Sequence, residues 1–174
     1  MAMLSFDIRS LEYEAAAVSG VLPPDDGVWM EGDLPLPVGE GIRVTGRLAA
    51  AGKGRFYFSG HMAGQTQQEC RRCLTPFQSE VDADVHVLFA SGDGEDDDDP
   101  DVFPVGGATG DEIDLRPAVR EQWLLEVPAF SVCRPDCKGL CPKCGADLNA
   151  GACECAPEID HRWEALRQLR GDSE

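Results

Sequence analysis

The chain has 174 residues, 32 of them acidic and 15 basic, for a formal net charge of −17. That balance opposes broad attraction to phosphate backbones and favours basic partners or plain solubility. No stretch reaches the roughly eighteen apolar residues of a membrane span, and the first twenty residues, MAMLSFDIRSLEYEAAAVSG, lack the basic start and apolar run of an export signal, so the expected setting is a reducing cytosol.

In chain order, residues 4–8 and 29–36 are weak strand candidates separated by a loop over 22–27 that carries Pro and Asp. Residues 42–49 (IRVTGRLA) and 55–64 (RFYFSGHMAG) flank a Gly-rich turn at 51–54 and predict a hairpin. Over 77–89 the period is two: Val81, Ala83, Val85, Val87 and Phe89 share one face, and Glu80, Asp82, Asp84, His86 and Leu88 the other. This is the pattern of a half-buried strand. Residues 91–104, SGDGEDDDDPDVFP, read as a solvated acidic loop with five consecutive acids at 95–99; the spaced ligands of a calcium loop are missing. Asp114 is a candidate N-cap, ahead of a helix with Pro117 in its first turn and Leu115, Val119, Trp123 and Val127 at four-residue steps before Pro128. A final helix is expected over 158–170, burying Ile159, Trp163, Leu166 and Leu169.

Eight cysteines complete the pattern: CxxC at Cys70 and Cys73, then Cys133, Cys137, Cys141 and Cys144 at three-, three- and two-residue gaps, then CxC at Cys153 and Cys155. In a reducing compartment such spacing points to metal rather than disulfides, and eight thiolates make two closed four-cysteine zinc sites. Residues 133–155 hold too few large apolar side chains to fold alone, so metal would supply their stability. Two groupings are open. In the first, favoured by loop closure, Cys141, Cys144, Cys153 and Cys155 form a local knuckle, and Cys70, Cys73, Cys133 and Cys137 clamp the sheet to the C-terminal segment. In the second, residues 133–144 supply one site, and Cys70, Cys73, Cys153 and Cys155 the other. The expected fold is therefore α+β. It comprises an antiparallel β-sheet, partly barrel-like, with one packed helix, and a C-terminal cysteine-rich zinc module ending in a helix. The expected domains are a core over 1–130, with the acidic loop at 91–104, and the module over 131–174.

Competing chemistries are weaker. Cys137, Cys141 and Cys144 also spell the CxxxCxxC of radical enzymes that hold an iron–sulfur cluster, but only thirty residues follow Cys144, far short of the barrel those enzymes build. A thiol–disulfide oxidoreductase using Cys70 and Cys73 is the alternative function, since Arg71 and Arg72 could lower a thiolate pKa, yet no βαβ pattern surrounds them. His61, His86 and His161 have no neighbouring acid or nucleophile in a recognisable arrangement. No nucleophile elbow or phosphate loop is present. Nothing here reads as an active site or as a small-molecule substrate site.

CRRCL at 70–74 after a hairpin, REQWLLEVP at 120–128, and CRPDCKGLCPKCGADLN at 133–149, followed by the CxC and the last helix, together resemble the bacterial YceD family of large ribosomal RNA subunit accumulation proteins. The resemblance spans roughly 40–170 and rests on an ordered succession of motifs. It implies a cytoplasmic, non-enzymatic factor needed for accumulation of large-subunit ribosomal RNA, with relatives in bacteria and chloroplasts. Two modes of action follow from charge. Arg71, Arg72, Arg134, Lys138 and Lys143 could form a local positive face that grips ribosomal RNA. Alternatively, the acidic loop and acidic strand face could hold a basic large-subunit ribosomal protein.

Overall fold

The computed structural model describes residues 4–52, 54–90, 101–106 and 111–155. The acidic run at 95–99 and the helix expected at 158–170, with His161, lie outside them. The described chain runs β1 (Ser5–Asp7), α1 (Ile8–Leu11), β2 (Ala16–Leu22), β3 (Pro37–Gly52), β4 (Arg55–Glu69), β5 (Pro76–Ala90), β6 (Val102–Pro104), β7 (Glu112–Asp114) and α2 (Arg116–Glu126).

A five-stranded sheet of order β2-β3-β4-β5-β6 carries the fold, and β1 pairs with β7 in a separate two-stranded sheet. All pairings are antiparallel except β5 with β6, which is parallel. β2 and β6 stand at the two edges of the larger sheet, so it is open rather than barrel-like. The expected hairpin is β3–β4, with Gly52 opposite Arg55 across the turn. β3 begins earlier than its apolar run, at Pro37, and reaches that run through an irregularity between Val38 and Arg43. Gly41 makes this possible: its φ is +103°, and a Cβ there would run into the Leu22 carbonyl.

β5 alternates as its sequence predicts, with Val81, Val85, Val87 and Phe89 buried and Glu80, Asp82, Asp84 and His86 exposed. The inner face of the sheet meets α2, whose Val119 and Trp123 are buried along with the flanking Leu115 and Val127. Each step of four residues returns to the same helix face, which aims this stripe at the core. Trp123 is fully buried and lies against Gly64, where a Cβ would come within 3.0 Å of the ring. The N-cap position of α2 is Leu115 rather than Asp114; Asp114 ends β7, and its carboxylate accepts the Arg116 N–H at 2.9 Å.

Three further expectations change. Residues 29–36 form no strand; they are a loop pinned by side chains. Trp29 Nε1 donates to the Pro23 carbonyl at 2.9 Å, Trp123 Nε1 to the Pro35 carbonyl at 3.0 Å, and Asp33 receives both Nε and Nη2 of Arg120 at 2.6 Å. The end of the expected acidic loop is structured, since Val102, Phe103 and Pro104 pair with Leu88, Phe89 and Ala90 as β6. The strand expected at 4–8 gives way at Ile8 to the single turn α1, whose N-cap Asp7 accepts the Arg9 N–H at 2.8 Å.

Candidate metal centres

The β4–β5 connection places Cys70 and Cys73 in a tight turn, and the chain after α2 returns to meet it. Two CxxC segments fold alike. The Leu74 N–H donates to the Cys70 carbonyl at 2.9 Å and the Cys70 N–H to the Thr75 carbonyl at 3.0 Å; in the second turn, Gly145 donates to Cys141 at 2.9 Å and Cys141 to Ala146 at 2.8 Å. In both, the residue after the second cysteine is left-handed, Leu74 at φ 58° and Gly145 at φ 72°. This curl aims successive N–H groups inward. The N–H groups of Arg72 and Cys73 reach the Cys70 sulfur, and those of Lys143 and Cys144 reach the Cys141 sulfur.

The eight sulfurs gather as Cys70, Cys73, Cys133 and Cys137 in one set and Cys141, Cys144, Cys153 and Cys155 in the other, all atoms of each set within 4.8 Å of one another. This is the first of the two groupings considered above. Cys70 lies 3.8 Å from Cys137, and Cys73 3.7 Å from Cys133. A disulfide would need about 2.05 Å. A zinc tetrahedron with bonds of about 2.3 Å has edges of about 3.8 Å, so the sheet-side set fits that ion. The donor chemistry fits too, since four thiolates and no other ligand make a closed structural site. The sheet-side set is lined by Phe77, Val132 and Leu140, a small apolar cluster apart from the main core.

Electrostatics divide each set. Burial pushes the Cys70 thiol up, but the N–H groups of Cys133, Cys73 and Arg72 outweigh it and bring it to about 6. The Thr75 hydroxyl and N–H hold Cys73 below its ordinary value. Burial, then the sulfurs of Cys70, Cys73 and Cys137, push Cys133 up to about 12. In the other set, the N–H groups of Cys144 and Lys143, then the Cys153 thiol, lower Cys141 to about 6, while the Cys144 sulfur, burial and the Cys141 sulfur raise Cys155 to about 12. Four neighbouring thiols cannot all ionise without a cation, and a divalent ion binds them by displacing the remaining protons.

The two sets touch. The Leu140 N–H donates to the Arg72 carbonyl at 3.0 Å, and Leu140 bridges to Asp147. Gly139, at φ +74°, permits that approach, because a Cβ there would sit 2.8 Å from the Arg72 carbonyl. Arg72 Nη1 donates to the Cys137 carbonyl at 2.9 Å. Sequence reasoning missed Asn149, whose Nδ2 donates to the Cys137 sulfur at 3.6 Å. Its position between Cys144 and Cys153 carries no distinctive spacing of its own.

The predicted basic residues surround these sets, all five exposed, but with different freedoms. The Arg71 guanidinium lies 5.5 Å from the Phe130 ring centroid. Arg72 is tied down as described. Arg134 donates to Asn149 Oδ1 at 2.8 Å and pairs with Asp136 at 3.4 Å. Lys138 and Lys143 stand on the loops of the two sets. The histidines are elsewhere. His61 does have acidic neighbours, contrary to the sequence reading: pairing of β4 with β5 sets it 3.2 Å from Asp82 and 3.3 Å from Asp84. His86 stacks on Tyr57 with ring centroids 6.1 Å apart. No helix among the described residues is long and apolar enough to cross a membrane.

Comparison with known proteins gives a consistent result. An uncharacterized protein of Mycobacterium tuberculosis is 35% identical over 168 residues, covering 95% of this chain and 74% of that protein. The protein YlbN of Bacillus subtilis is 30% identical over 132 residues, 74% of this chain and 73% of its own length. The chloroplastic large ribosomal RNA subunit accumulation protein YCED homolog 1 of Zea mays is 40% identical over 101 residues, 56% of this chain and 32% of its own length. No solved structure gives a significant match. The family model for the large ribosomal RNA subunit accumulation protein YceD matches residues 58–170, a span containing all eight cysteines, and the chain belongs to the YceD family.

Proposed function

We propose that this chain is a non-enzymatic ribosome-biogenesis factor that supports accumulation of large-subunit ribosomal RNA in the cytoplasm. Zinc at both four-cysteine sets holds residues 131–155 against the sheet, and the factor acts by holding a basic large-subunit ribosomal protein. Membership of the YceD family is the observation that carries this reading, because the maize and Arabidopsis relatives bear the ribosomal RNA accumulation name. Charge selects the partner. A net charge of −17 repels a nucleic-acid backbone, and Glu80, Asp82 and Asp84 form an exposed acidic strip along β5.

Direct contact with ribosomal RNA through Arg71, Arg72, Arg134, Lys138 and Lys143 is the second reading, favoured by their clustering around the cysteine sets. Against it, Arg72 and Arg134 spend donors on Cys137, Asn149 and Asp136. The oxidoreductase reading is weaker still. Cys70 and Cys73 share a buried set with Cys133 and Cys137, where a metal, once bound, would occupy the thiolates that exchange requires.

The test is complementation of cells lacking the protein, scored by the ratio of large- to small-subunit ribosomal RNA. One variant neutralises the strip (Glu80→Gln, Asp82→Asn, Asp84→Asn), and another replaces Arg71, Lys138 and Lys143 with Ala while keeping Arg72 and Arg134, which brace the cysteine sets. The proposal expects loss with the first and rescue with the second. The reverse pattern would establish direct RNA contact, and a normal ratio in cells lacking the protein would overturn the biogenesis role.

A further inference from the structure

The two cysteine sets are distinct in sequence but share one side chain. Asn149 lies in the loop that the C-terminal set closes, between Cys144 and Cys153, yet its amide reaches the sheet-side set. Nδ2 donates to the Cys137 sulfur at 3.6 Å and to Asp147 Oδ1 at 2.7 Å, while Oδ1 accepts the Lys138 N–H at 2.9 Å and Arg134 Nη2 at 2.8 Å. Both donors and both acceptor positions of the amide are filled, so a flipped amide would set an oxygen against the sulfur and an NH2 against two donors. The orientation is therefore fixed by its neighbours.

We propose that Asn149 is a positioning residue that couples the two metal sites, so that an ion in the C-terminal set raises the affinity of the sheet-side set, and the reverse. The physical step is a hydrogen bond to a ligand sulfur. It stabilises the thiolate and fixes its direction, and groups of this kind typically contribute 10- to 100-fold in metal affinity. Closing the C-terminal set around an ion holds the 145–152 loop, and with it Asn149, in the position that the Cys137 sulfur needs. Linkage makes the effect reciprocal. A second strut runs the same way, from the Leu148 N–H to the Gly139 carbonyl at 2.9 Å, and orders the segment between Cys137 and Cys141.

The inference rests on the reading that both sets bind a divalent metal, and the experiment separates the two. Cadmium is titrated into the full chain, each site followed by its own cadmium NMR resonance and assigned with a Cys144→Ser, Cys155→Ser variant; affinities come from chelator competition. Asn149→Ala removes the donor to sulfur, the donor to Asp147 and both accepted bonds, and adds no charge beside the thiolates. Expected are two ions in the parent and in Asn149→Ala, a sheet-side affinity about 10- to 100-fold weaker in Asn149→Ala, and a similar loss when the C-terminal set is abolished. Adding Asn149→Ala to the latter variant should cost little more, as expected of effects that share one path. Unchanged sheet-side affinity in Asn149→Ala, or independence of the two sites, would overturn the coupling while two bound ions left the metal reading intact. No bound ion in the parent would instead overturn the metal reading itself.

Discussion

Leu74 and Gly145 occupy the same left-handed position in two turns with matching hydrogen bonds, and only one of them is suited to it. A side chain in this conformation costs roughly 1–2 kcal/mol, partly offset by the larger entropy a glycine loses on folding. Gly145→Ala should therefore destabilise the protein by about 1 kcal/mol, and Leu74→Gly should stabilise it by up to about the same amount, as read by denaturant midpoints at unchanged slope. His61 offers a test of register. Hydrogen bonds donated to Asp84 and then to Asp82 raise its pKa above the ordinary value, so its contact is present below a pH of about 6.5 and is lost as pH rises through the raised value. An NMR titration of His61 should show the raised value, and Asp84→Asn should bring it down. An ordinary value in the parent would contradict the contacts of His61 with Asp82 and Asp84. The gathering of the cysteines was legible at this scale because their spacing announces it, whereas the Asp82 and Asp84 neighbours of His61 depend on a cross-strand pairing that local sequence does not encode.

α2 and the 23–36 loop stabilise one another, and one link between them is the Asp33–Arg120 pair. Arg120 first, then the Met30 N–H, hold the Asp33 carboxyl below the usual carboxylate range. That contribution is complete above the ordinary carboxylate value of about 4 and disappears as pH falls through the lowered one. Asp33→Asn should abolish this part of the acid sensitivity in melting curves taken at decreasing pH. Trp123→Ala, which empties a site fully enclosed between α2 and Gly64, should cost about 3–5 kcal/mol in urea unfolding. β5 and α2 were readable because Val81 to Phe89 alternate and Leu115 to Val127 repeat every fourth residue. β2 was not, since its buried positions at Val18, Gly20 and Leu22 alternate with the small residues Ala17 and Ser19, leaving little contrast in hydropathy. β6 lies directly after an acidic run and pairs through only three residues. Tertiary bonds from Trp29, Asp33 and Trp123 turn 29–36 into a loop despite its strand-like composition.

Across the whole molecule, the sheet-side cysteine set joins segments 60 and 67 residues apart in the chain, while the C-terminal set closes a local loop. Sequence indicated this division through loop length, but it could not supply the hydrogen bonds of Asn149 and Arg72 that tie the sets together. Residues 131–155 contain no helix or strand of the named elements and bury little apolar surface beyond Val132 and Leu140, so metal at the sulfurs is expected to add to the hydrogen bonds that hold them. Cys73→Ser should lower metal content and melting temperature together. The most direct measurement is native mass spectrometry of the purified full chain, paired with thiol titration before and after a chelator. The account predicts a mass increment of two zinc ions and thiols that stay unreactive until the chelator is added. A metal-free mass with all eight thiols immediately reactive would contradict it.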